Sequence, residues 1–168
     1  MLGRVATVLF IGLTGPVLAQ DGDPVTGFDS SDPVMNVAIA QAQFSLPLFL
    51  CEKVDDEGYG PGDGYLKVRV PVQNAEVTHE VIWVGPFAAW DGENFAGFLA
   101  NQPNAMPGLN AGDQLDFTYD MIVDWSWTGP DGLNYGHYTT RVIYEQLGDQ
   151  AFLQTLANPP YDADWTCD

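Results

Sequence analysis

Across residues 64–128 the chain alternates short apolar runs with breaks rich in glycine, proline and aspartate, and this punctuation restricts the fold more than any other feature. Leu66, Val68, Val70 and Val72 fall on one face of an extended segment, with Tyr65, Lys67 and Arg69 on the other. That period of two is the signature of a half-buried strand. Pro71 cannot donate to a ladder, so it marks a strand end or a sheet edge. Further strands are predicted over residues 77–84, closed by Gly85-Pro86, and over 95–100 after the Asp91-Gly92 turn. Two more follow over 114–119 and 122–127, and Gly129-Pro130-Asp131-Gly132 then turns the chain into a short segment near Tyr135.

Helices flank this run. Asp32 reads as an N-cap with Pro33 at the first helical position. Met35, Ala38, Ile39, Ala42 and Leu46 follow at helical spacing and form one apolar stripe facing a core. Pro47 is expected to kink or interrupt this helix, with residues 48–50 continuing it for a turn to Cys51. Residues 139–147 fit a helix or a strand, and Gly148 at the place of a C-cap favours the helix, with Asp149 as the N-cap of a last helix ending before Pro159-Pro160. Helix, strands, then helices predicts an α+β fold: a largely antiparallel sheet of about five strands, an N-terminal helix and one or two C-terminal helices. The acidic, glycine-rich loop at 54–64 lacks the alternating ligands of a calcium loop.

The first twenty residues, MLGRVATVLFIGLTGPVLAQ, carry a positive start at Arg4, a short apolar run, and small residues at the −3 and −1 positions before Gln20. This pattern predicts a signal peptide over 1–19, cleaved after Ala19, and a periplasmic or secreted product. The apolar run is far short of the roughly 20 residues that cross a bilayer, so no transmembrane segment is expected after cleavage. Residues 20–31 are polar and read as a flexible segment, 32–158 as the folded domain, and 159–168 as a tail. In an oxidising compartment the two cysteines, Cys51 and Cys167, have a single pairing open to them, and a disulfide between them ties that tail down. The balance of 23 acidic to 5 basic residues gives a formal charge of −18, which repels phosphate backbones and anionic headgroups. Nucleic acid is therefore excluded as a partner.

Residues 80–127 read EVIWVGPF, FAGFLANQP, MPGLNAGDQLDF and IVDW, preceded upstream by MNVAIAQAQFSLPLFL. This ordered set resembles the YegJ-like family of bacterial proteins, domain of unknown function 2314, over roughly residues 33–143. The resemblance implies a small α+β domain without an assigned activity. Its one functional lead is a distant similarity to immunity-type proteins that neutralise bacterial toxins.

No catalytic constellation emerges from the residues. His79-Glu80 opens like a zinc-protease motif, but Trp83 stands where the second histidine belongs, and no metal set is formed with His137. Ser30, Ser31, Ser45 and Ser126 lie outside any nucleophile elbow. With no phosphate-cradling loop or dinucleotide fingerprint, no cofactor is implied. An aromatic–acidic cluster remains: Asp124, Trp125 and Trp127 on one predicted strand, the two indoles on the same face, followed by Tyr135 and His137 beyond the turn. Rings with polar tips beside carboxylates suit a protein partner or a stacked sugar. Asp116, Asp120 and Asp124 also offer the paired carboxylates that glycosidases use. The leading expectation is a non-catalytic, exported protein-binding factor, inhibitor- or immunity-like. A carbohydrate- or peptidoglycan-binding module is the alternative, with a carboxylate-dependent hydrolase third.

Overall fold

The computed structural model describes residues 32–74 and 76–167. The leader over 1–19 and the segment 20–31 lie outside the described residues. The elements run in chain order α1 (Pro33–Lys53), β1 (Gly64–Pro71), β2 (His79–Ala89), β3 (Asn94–Leu99), β4 (Gln114–Thr118), a 3-10 turn (Tyr119–Met121), β5 (Ile122–Thr128), β6 (Asn134–Gly136), α2 (Tyr138–Leu147) and α3 (Gln150–Leu153). The strands form one antiparallel sheet in the order β4-β3-β2-β1-β5-β6, an α+β architecture with six strands among the described residues.

Helix α1 begins as its sequence dictates. The Asp32 carboxylate accepts from the amides of Val34 and Met35 at 2.9 and 3.2 Å, satisfying donors that a first helical turn leaves free. Met35, Ala38, Ala42, Leu46 and Phe49 are buried and join Leu66, Val68, Ile82, Val84 and Trp125 of the sheet in one core. Phe49 stacks on Trp125 with centroids 4.5 Å apart. The helix runs through Pro47 to Lys53 without interruption. Proline removes one amide, but buried Leu46 and Phe49 on either side of it hold both halves against the sheet.

The outer face of α1 also carries exposed apolar side chains, set among the exposed Asn36, Gln41 and Gln43. Val34, Val37 and Phe44 are 56%, 57% and 84% exposed. By length and composition α1 could cross a membrane, with mean hydropathy 1.5 over 18 residues, yet here a third of that window is buried within the fold.

Two sequence expectations are corrected in the sheet. Strand β2 does not close at Gly85-Pro86 but continues to Ala89, absorbing the proline in a register shift between Val84 and Phe87. Gly85 permits this because a side chain there would lie 2.5 Å from the Tyr65 ring and 2.8 Å from the Gly64 carbonyl. Lys67, on the alternate face of β1, is buried rather than half in solvent. Glu80 is buried too, and its carboxylate accepts from the amides of Asn104 and Ala105 at 2.6 and 2.7 Å. It anchors the long β3–β4 connection over the core.

After β6 the chain turns through Gly136 and His137, both left-handed, into α2. Gly136 is required here, since a Cβ would fall 2.1 Å from the Trp125 carbonyl. The Cys51–Cys167 disulfide is present with Cα atoms 5.9 Å apart, and it fastens the tail to the end of α1.

Candidate functional site

The five residues singled out from the sequence separate into two clusters. Asp124 and Trp125 lie in the interior, so neither is a surface contact for a partner, which corrects that part of the expectation. Trp125 is core: its indole Nε1 donates to Ser45 Oγ at 3.0 Å, which gives the buried N–H its acceptor.

The first cluster surrounds Asp124. Register places Lys67 of β1 opposite both Asp124 of β5 and Trp83 of β2, so the three share one patch of sheet. Asp124 Oδ1 accepts from the amides of Trp125 and Tyr138 at 2.8 and 3.1 Å. Its Oδ2 accepts from the Thr139 amide and hydroxyl at 2.7 and 2.6 Å. His137 occupies the N-cap position of α2 but makes no side-chain cap, so a carboxylate from β5 caps the helix instead. Burial pushes the Asp124 carboxyl above the usual carboxylate range, opposed by the Lys67 charge and by the bonds from Thr139 and Trp125. Lys67 Nζ lies 3.2 and 3.5 Å from the hydroxyls of Thr139 and Thr140 and 4.8 Å from the Trp83 ring centroid. His137 sits edge-on between Trp83 and Phe152, at 5.4 and 6.0 Å. The bonds from Tyr138, Thr139 and Thr140 to Asp124 and Lys67 tie α2 to the sheet.

The second cluster is half-buried: Trp127 and Tyr135 keep partial exposure, whereas Trp165 is buried and joins the core. Trp127 and Tyr135, cross-strand neighbours on β5 and β6, have ring centroids 5.4 Å apart. Trp165, carried in by the tail, completes a triangle at 5.6 Å from Trp127 and 5.8 Å from Tyr135. The rings tilt against one another by 31–56°, so they are not a flat platform. Lys53, the last residue of α1, holds its ammonium 4.3 Å from the Trp127 ring and 4.6 Å from that of Trp165. Tyr135 donates to Asp131 at 3.0 Å, and this bond, burial and the charges of Asp131 and Asp162 raise its phenol above the ordinary value. Sequence reasoning found Trp127 and Tyr135 but missed Lys53 and Trp165. The available signal was Cys167, which delivers Trp165 wherever Cys51 lies.

The three carboxylates weighed as a catalytic pair do not converge. Asp116 is exposed on β4 and Asp124 is buried on β5, with three strands between them in the sheet. At about 4.8 Å per strand this is roughly 19 Å, whereas paired glycosidase carboxylates stand about 5–9.5 Å apart. Asp120 is exposed in the 3-10 turn and accepts from Thr118. His79 lies at the exposed start of β2 with its Nδ1 at 3.0 Å from the Thr78 hydroxyl. Among the described residues no three potential metal ligands come together.

The sheet order, the single long helix on one face and the capped α2 at the sheet edge define a small α+β domain. A family model described as an uncharacterized protein conserved in bacteria (DUF2314) matches residues 32–158, and the chain belongs to that family. No curated protein and no solved structure matches it. Trp165 and Cys167 lie beyond the matched residues.

Proposed function

We propose that this is an exported, non-catalytic domain that binds another protein through the outer face of α1. The observation that carries the reading is the stripe of Val34, Val37 and Phe44, more than half exposed on a helix about 31 Å long. From Pro33 to Cys51 that helix contains no charged residue. A long apolar stripe rimmed by polar surface is the usual form of a protein-docking face. Export is supported by the leader pattern and by the disulfide, which persists in oxidising compartments.

Charge specifies the partner. Of the cations among the described residues, Lys67 is buried, Lys53 is held over two indoles, and Arg141 donates to the carbonyls of Gly136 and Ala157. With 23 acidic residues against 5 basic ones the chain as a whole is strongly anionic, and the complementary partner is a basic protein with an apolar contact patch.

Phe44→Glu tests this reading because it charges the stripe without touching the core. Immobilised wild-type and variant proteins are exposed to purified basic exported proteins at low salt, and retention is measured by mass spectrometry. Wild type is expected to retain a defined partner that Phe44→Glu releases, with unchanged melting temperature. Equal retention by both, or none by wild type, overturns the assignment.

A further inference from the structure

We infer that Trp127, Tyr135 and Trp165 form a binding site for a quaternary ammonium ion, a site that the chain's own Lys53 occupies when no ligand is bound. Three observations meet here. Two indole faces already receive an ammonium, 4.3 and 4.6 Å from their centroids. The electrostatic attraction of a cation to an aromatic face is what such a group offers, and it is strongest for tryptophan. The walls also carry the matching charge. Asp131 accepts from the Tyr135 hydroxyl, Asp162 stands close enough to act on the same phenol, and Glu52 accepts from the Thr166 amide at 2.8 Å beside the tail.

Third, the site is completed by the tail: Lys53, Trp127 and Tyr135 belong to the family domain and Trp165 does not. Trp165 is the second indole of the pair, and it lies beyond residues 32–158. The bond from Cys167 fastens the tail at Cys51, two residues before Lys53 on the helix. Lys53 and Trp127 alone would leave the ammonium with one ring.

A primary ammonium is a compact, strongly hydrated charge and gains little when only half desolvated. A quaternary ammonium is weakly hydrated and spreads its charge over methyl groups that contact several rings at once, which is the chemistry aromatic cages select. Such an ion competes with Lys53, whose flexible stem lets the ammonium swing out to water. The site is independent of the α1 stripe and stands whether or not that face binds a protein.

Choline is the probe, titrated into the disulfide-intact protein at constant ionic strength. Its neutral isostere, 3,3-dimethylbutanol, separates cation recognition from apolar filling. Indole N–H resonances of Trp127 and Trp165 report the site. The expected result is saturable shifts with choline, affinity roughly three- to tenfold tighter in Lys53→Ala, and loss of the shifts in Trp127→Leu. Failure of the Lys53→Ala shifts to approach saturation at about 100 mM choline, a concentration that fills about nine sites in ten when Kd is about 10 mM, overturns the proposal. Equal binding of the neutral isostere, or binding that survives Trp127→Leu, overturns it as well.

Discussion

Asp124 illustrates how a residue chosen for its chemistry turns out to serve the architecture. Its carboxylate receives four hydrogen bonds, three of them from the first two residues of α2. An asparagine in the same place would replace one acceptor oxygen by an NH2 group, and even with that group turned toward Thr139, whose hydroxyl can rotate to accept, the Thr139 amide is left buried without an acceptor. Asp124→Asn should therefore cost about 3 kcal/mol in chemical denaturation, the scale of removing one partner from a buried charged network. Lys67→Met should cost less than half as much, because the carboxylate keeps its four donors and the methionine fills the space beside Trp83. An Asp124→Asn protein as stable as wild type would show that the cap contributes nothing. None of this was legible in the sequence. A lysine and an aspartate at alternate positions of two strands read as solvated side chains, and only strand register and the docking of α2 bury them.

At the scale of elements, periodicity was a faithful guide wherever the decisive contacts were local. The N-cap at Asp32, the stripe from Met35 to Leu46, strands β1, β3, β4 and β5 and the close of α2 at Gly148 stand close to where their residues place them. Strand β2 outran its expected end because a glycine-proline pair can also be a bulge, and the packing of Tyr65 on Gly85 decides which. The outer face of α1 was hidden for a different reason. An apolar residue looks the same in sequence whether a core or a partner covers it. The tail, by contrast, was legible through its chemistry, since Cys167 had one partner to find. It closes a separation of 116 residues, so in the loop-entropy account its loss costs up to about 4–5 kcal/mol. Cys167→Ser should lower stability by an amount of that order and expose Trp165, seen as a red shift of indole emission. A full-strength fold with unshifted emission would mean that the ring contacts alone hold the tail.

For the whole molecule, the governing quantity is charge. The formal −18 is spread over a chain with five basic residues, and three of the four among the described residues are drawn inward. An apolar stripe on so acidic a body disfavours self-association, because two copies meeting through α1 would bring like charges together around it. It favours a basic partner, whose approach is steered by the long-range field and whose grip is then set by the apolar contact. These two contributions respond differently to salt. Raising ionic strength from 0.1 to 1 M shortens the screening length from about 10 to about 3 Å, which removes steering but leaves a buried apolar contact in place. The association rate constant for the partner should fall by at least about tenfold across that range, as steered encounters do. The dissociation rate should change by less than about threefold, because it is set by contacts buried on docking. Surface plasmon resonance with the captured partner measures both. A dissociation rate that climbs with salt as steeply as association falls would place the affinity in exposed ion pairs and remove α1 from the centre of the interface.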